Sequence, residues 1–304
     1  MAQNLPFSVV VIGSCFWAIS LTCIIFVLFA YFCYKRTKQN LFYYIIFQLG
    51  IIDLCFLFSA LPLMIEWLKG KVPEDDWMCT ASGTLRLFAT LCSYYVNALF
   101  AWAIYCCVQM NSSRDVLKAR YTKMIIIIYL FTSILSILPN FTNSIGMGAL
   151  YCGMVLNDET GWKVVWAITI YYVPSSFSIL SISYFIIRSI SKLRSYFPGG
   201  KRKSCKFYNL LVIPGIFLFI NAGSMLDRLF VVLFGEAPMW IVVAHFLTRQ
   251  LQGFLHGGLY TIMILGESSA KRSSSSLSDS APSKNELSDT ASFASRTTST
   301  VLPK

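Results

Sequence analysis

Several ionisable side chains stand inside stretches that are otherwise almost wholly apolar. Asp53 interrupts QLGIIDLCF, Glu66 lies in LMIEWL, and Arg86 ends CTASGTLR. Asp227 and Arg228 adjoin in SMLDRLFVVLFG, and His245, Arg249 and His256 follow. At the centre of a membrane span an Asp, Lys or Arg costs roughly 2.5–3.5 kcal/mol on insertion scales, so each needs a partner or a ligand. Toward the outer ends of their spans, three arginines (Arg86, Arg228, Arg249) stand against two acids (Glu66, Asp227), with His245 nearby. That excess of positive charge suits an anionic or phosphate-bearing group, which guanidinium binds through paired N–H donors. The competing reading is interhelical ion pairing, Asp227 with Arg249 or Glu66 with Arg86, where removing one partner costs roughly 3–5 kcal/mol. Asp227 and Arg228 do not face one another, because neighbours on a helix point about 100° apart. Asp53, nearer the middle of its span, is either a neutral hydrogen-bonded acid or the centre of a polar network or sodium site. Asn97 and His256 are its candidate neighbours.

The elements that position these residues are membrane helices. Hydrophobic residues make up 56% of the 304 and charged residues only 13%, against roughly 25% charged in a soluble domain. Seven apolar runs, near 8–34, 41–68, 82–110, 124–145, 164–187, 207–234 and 239–265, are each long enough to cross a hydrocarbon core of roughly 30 Å. The first has no basic region before it and is followed by Lys35, Arg36 and Lys38, so it is read as helix 1 and not as a cleavable leader.

Charge sets the orientation. Lys35, Arg36, Lys38, Arg114, Lys118, Arg120, Lys123, Arg188, Lys192, Arg194, Lys201, Arg202, Lys203 and Lys206 fall after helices 1, 3 and 5, whereas the opposite loops hold only Lys69, Lys71 and Lys163. The basic loops are therefore cytoplasmic, with the amino terminus outside and the carboxyl terminus inside. The net charge of +11 is spread through these short segments, which is membrane topology and not a nucleic-acid surface.

Cys79 and Cys152 both fall on the outer, oxidising side, where a bridge would pin the loop between helices 4 and 5 over the bundle. Asn140-Phe141-Thr142 is a glycosylation sequon set against the membrane end. Pro62, Pro139, Pro174 and Pro214 are candidate kinks, and Gly253, Gly257 and Gly258 would admit a close neighbouring helix. Seventeen of the last 37 residues are Ser or Thr. Residues 1–267 are therefore expected to form the transmembrane domain and 268–304 a disordered cytoplasmic tail open to phosphorylation.

Three classes fit seven spans with an external amino terminus: a receptor, a retinal protein or a small-solute transporter. Residues 238–265 contain no lysine for a retinal Schiff base. No HExxH, CxxC, GxSxG or phosphate-binding glycine loop is present, so neither an enzyme, a metal site nor a cofactor is expected. Transport, the alternative function, has no internal repeat to support it. QLGIIDLCF in helix 2, the Cys79 and Cys152 pair, YYVP in helix 5, KFYNLLVIPGIFLFINAGSMLDRL in helix 6 and LQGFLHGGLY in helix 7 together resemble G-protein-coupled receptors. The resemblance is to the cyclic-AMP-receptor-like (class E) group and its orphan relatives. It implies an all-α seven-helix bundle of the plasma membrane and an extracellular ligand, for which the outer polar residues Arg86, Asp227, Arg228, His245, Arg249 and Glu66 are the candidate binding set. It also implies an activation network of Asp53, Asn97 and His256, a heterotrimeric G protein at the basic inner loops, and a receptor kinase and arrestin-like protein at the tail. The inner loops would also meet anionic membrane lipids. Helix 3 ends IYCCVQMNSS without a DRY motif, and helix 7 lacks NPxxY. Those absences argue against the rhodopsin-like class.

Overall fold

The computed structural model describes residues 7–33, 41–69, 77–109, 114–147, 152–154, 162–196, 203–234 and 237–278. Helices α1 (Phe7–Cys33), α2 (Leu41–Leu68), α3 (Trp77–Gln109) and α4 (Arg114–Ile137) are followed by a 3₁₀ turn at Leu138–Thr142. A short hairpin, β1 (Ile145–Met147) with β2 (Cys152–Met154), precedes α5 (residues 162–196), α6 (Lys203–Phe234) and α7 (Met239–Ser278). Six of these helices have the length and hydropathy to cross a membrane. Helix α7 is set apart from those six by the buried polar residues His245, Arg249, Gln250, Gln252 and His256. The fold is an all-α seven-helix membrane bundle.

Several helices outrun their apolar cores. Helix α3 starts at Trp77, before the expected 82, and α4 at Arg114, before the expected 124, because a helix continues past the hydrocarbon into polar turns that hydropathy does not count. Helix α7 continues to Ser278, into the segment assigned to the tail. Residues Met1–Thr261 form one compact unit, and Ile262–Lys304 a second.

Helix α3 is the axis of the bundle: 78% of its span is buried, against 22% for both α1 and α4. Helix α4 turns Ile126, Ile127, Leu130 and Ile134 outward, as a lipid-facing stripe must. Hydrocarbon supplies no hydrophobic force between helices, so close packing and interhelical hydrogen bonds hold the bundle. The Trp17 indole donates to the Leu57 carbonyl at 3.0 Å, the Tyr129 hydroxyl to Gln48 Oε1 at 2.7 Å, and Ser178 Oγ to the Tyr94 carbonyl at 2.8 Å. Ser20 donates to the Gln250 carbonyl, tying α1 to α7. At that seam a Cβ on Gly257 would lie 3.3 Å from the Cys23 carbonyl, and one on Gly253 would strike Ile24, whereas Gly258 faces open space.

Pro62 and Pro214 sit inside α2 and α6. Pro139 opens the 3₁₀ turn. Pro174 follows a π-helical turn at Ala167–Tyr172, where the Val173 N–H reaches back to the Ile168 carbonyl. The wider turn gives the proline ring room against the preceding carbonyls, which a regular α turn would not.

On the outer side Cys79 and Cys152 are bonded, with Cα atoms 5.2 Å apart. The hairpin pairs Ile145 with Met154, Gly146 with Gly153 and Met147 with Cys152, and it lies directly on Gly83 of α3. A Cβ at Gly83 would stand 2.6 Å from Ile145 Cγ2 and 3.2 Å from the Gly153 nitrogen. Asn140 Nδ2, the atom a glycan would take, instead donates to Thr84 Oγ1 at 3.0 Å. Gly83→Val is expected to cost about 1–3 kcal/mol through overpacking, read as a lower thermal midpoint of the purified protein. An unchanged midpoint would show that the hairpin does not rest on α3.

Candidate functional site

Polar stripes on four helices converge inside the bundle. Arg86, Thr90, Ser93 and Asn97 follow one another on α3 at intervals of four, three and four residues, and His245, Arg249, Gln252 and His256 repeat those intervals on α7. Such spacing keeps all four side chains of a set on one helical face. Helix α2 adds Asp53 and Phe56, and α6 adds Asn221, Ser224 and Asp227. Every one of the polar residues in these sets is buried.

The outer part of the convergence is a cavity of about 10 Å³ lined by Phe56, Arg86, Thr90, Tyr171, Ser224, His245 and Arg249. A cavity of that size has room for about one water molecule. The guanidinium carbons of Arg86 and Arg249 lie 4.7 Å and 5.7 Å from the centroid of the same Phe56 ring. The ring quadrupole attracts each cation, while the two cations repel one another.

Arg249 Nη2 donates to Asn221 Oδ1 at 2.6 Å and Nη1 to Gln252 Oε1 at 3.2 Å. Both acceptors are neutral amides. Among the described residues no carboxylate pairs with Arg249, which is only 3% exposed. The guanidinium is thus anchored without being neutralised, and it retains N–H donors beyond the two in use.

Two His–carboxylate pairs tie α7 to its neighbours. His245 Nδ1 is 2.8 Å from Asp227 Oδ2 on α6, and His256 Nδ1 is 2.6 Å from Asp53 Oδ2 on α2. The other Asp53 oxygen, Oδ1, accepts from Gln252 Nε2 at 2.7 Å, and Gln252 Nε2 also approaches Ser93 Oγ at 3.4 Å. Asn97 joins through α3 itself, its amide donating to the Ser93 carbonyl at 2.9 Å.

Arg86, His245 and Arg249 are therefore brought to one cavity, with Asp227 held at its edge by His245. Asp53 and His256 meet directly. The expected Asp227–Arg249 pair is replaced by Asp227–His245 and by the amide bonds of Arg249. The expected Glu66–Arg86 pair is replaced by Glu66 with Lys69, in the turn directly after α2, at 3.1 Å and partly exposed. A carboxylate three residues from a lysine at the water boundary meets it without desolvation. Arg228 lies on α6 beside Asp227, and its side chain is outside the described residues. Among the described residues no cluster of three His, Cys, Asp or Glu side chains could hold a metal ion. Reading the sequence by ionisable residues missed Asn221, Gln252 and Ser93. The repeated four-three-four spacing on α3 and α7 was the available signal.

Asn221→Leu removes one of the two amide acceptors of Arg249. A hydrogen bond to a charged group contributes about 1.5–3 kcal/mol, so a corresponding fall in thermal stability is expected. Stability equal to the parent protein would mean that Arg249 has another anchor.

The family model described as 7 transmembrane receptor (rhodopsin family) matches residues 8–249. A search of curated proteins gives no significant match. The family match corrects the expectation drawn from the absent DRY and NPxxY motifs. It runs from α1 as far as Arg249 and ends before the HGGLY segment of α7, so the two missing short motifs do not outweigh the match over most of the bundle. The outer disulfide, the central α3 and the polar cavity among α2, α3, α5, α6 and α7 fit that assignment. The chain belongs to the rhodopsin family of seven-transmembrane receptors and is a multi-pass G-protein-coupled receptor of the plasma membrane.

Proposed function

We propose that this receptor responds to an extracellular anion, a carboxylate or phosphate-bearing molecule, whose charged group enters the cavity between Arg86 and Arg249. The observation that carries the reading is the buried Arg249 guanidinium, oriented by Asn221 and Gln252 yet paired with no carboxylate among the described residues. A charge desolvated without a counter-charge is costly, and a ligand anion relieves both that cost and the repulsion between two arginines sharing Phe56. His245, fixed by Asp227, and the hydroxyls of Thr90 and Ser224 add hydrogen-bonding groups along the same wall.

The cavity has room for about one water molecule, so the anion selects a more open bundle by binding it more tightly. Tyr94 of α3 meets Phe217 of α6 edge-on at 5.9 Å, beside Ile182 of α5, and this apolar layer would pass a shift of α6 inward. The open inner ends of α3, α5 and α6 then engage a heterotrimeric G protein, with the basic loops held at anionic lipid. Residues 268–304 serve as substrate for a receptor kinase, after which an arrestin-like protein ends the signal. Kinship with the cyclic-AMP-receptor-like group rests on the helix 6 and helix 7 segments, and the ligand of that group is not carried over. A transporter role finds no support in the family match.

The test is a thermal-shift screen of purified receptor against inorganic phosphate, nucleotides, organic acids and neutral or cationic analogues. A ligand at about 100 times its Kd adds about 2.7 kcal/mol of stability. Anions are expected to stabilise the wild type and to accelerate nucleotide release from a purified heterotrimer, with both effects lost in Arg249→Gln. Stabilisation by neutral or cationic compounds alone would overturn the reading.

A further inference from the structure

We propose that Gln252 is the positioning residue that carries the state of the Arg249 guanidinium to the Asp53 carboxylate. The outer cavity and the inner Asp53–His256 pair lie at successive positions along the polar face of α7. Gln252 touches both: Oε1 accepts from Arg249 Nη1, and Nε2 donates to Asp53 Oδ1 and approaches Ser93 Oγ. The two ends of one planar amide cannot move independently, so rotation of the side chain alters both contacts together. All four residues are buried, at 2–4% exposure, so water does not readily replace a lost partner. The bonds from His245 to Asp227 and from Arg249 to Asn221 lead to α6.

The consequence is directional. An anion in the cavity competes with Gln252 Oε1 for the Arg249 N–H donors. Once Oε1 is released, the amide turns, and the Nε2 bond to Asp53 Oδ1 weakens. Asp53 is then held to α7 through His256 Nδ1 alone. The seam between α2 and α7 thereby changes state without the ligand touching Asp53. The trigger rests on the anion reading above, whereas the wiring does not.

The experiment uses the full-length receptor in lipid nanodiscs with a purified heterotrimer and inorganic phosphate as the probe. Gln252→Met keeps the length of the side chain and removes both polar ends. It also removes one of the two amide anchors of Arg249, so phosphate is expected to bind more weakly by thermal shift, and at phosphate concentrations that restore the wild-type shift its effect on nucleotide exchange is expected to be lost. Gln252→Asn, the second variant in case Met fails to fold, keeps a neutral amide but is one methylene too short to hold Arg249 and Asp53 together, and it too is expected to lose the exchange response. A variant that folds and keeps the full exchange response overturns the relay. If phosphate does not stabilise the wild type, the anion reading fails and a double-variant cycle decides the relay. The effects of Arg249→Lys and Asp53→Asn on basal exchange should be non-additive by at least about threefold in the wild-type background and additive in Gln252→Met, as residues in one network couple and separated ones do not. Additivity in both backgrounds, or equal coupling in both, overturns it.

Discussion

The Arg249 guanidinium is held between two amide oxygens in the middle of the bundle, and much of the interior is arranged around that choice. A buried arginine paired with an aspartate would be a static strut, since both charges would be satisfied by the fold. Held by Asn221 and Gln252 instead, it is fixed in direction but keeps its charge. The neighbouring Arg86 shares its aromatic ring, and Asp227, the acid that could have neutralised it, is paired to His245. Among the described residues no carboxylate pairs with Arg249.

Helix α7 is where these demands meet. Its polar face contacts α6 through His245 and Arg249 and α2 through Gln252 and His256, while its small-residue face, Gly253 and Gly257, lies against α1. Two faces of such different character cannot both be apolar, which is why α7 stands apart in hydropathy from the other six spans. Helix α3 supplies the matching stripe and the floor for the outer hairpin at Gly83. Each constraint is local, yet together they leave α7 with little freedom except a change of partners at its polar contacts.

Much of the fold was legible in the sequence because lipid imposes simple rules. Length and hydropathy locate the spans, the distribution of Lys and Arg orients them, and the two outer cysteines meet in the bond the topology suggests. Helix ends were less legible, since α3 and α4 extend into polar turns that hydropathy does not count. The candidate site was legible in part. Arg86, His245 and Arg249 reach one cavity and Asp53 meets His256, because an ionisable residue in hydrocarbon must find other polar groups. The pairing among them was not legible. A helical sequence shows which side chains share a face but not which neighbouring helix that face meets, so the sequence leaves Asp227 between Arg249 and a ligand and does not single out His245. Neutral amides were overlooked for a related reason: Asn221 and Gln252 carry no charge to draw notice, although they decide whether Arg249 is neutralised.

The most direct measurement is phosphorus NMR of inorganic phosphate titrated with receptor in nanodiscs. The account predicts that wild-type receptor broadens the phosphate line and that Arg249→Gln, folded to the same thermal midpoint, does not. Equal broadening by both proteins, or none by either, would contradict the claim that an un-neutralised Arg249 is the anchor for an anionic ligand.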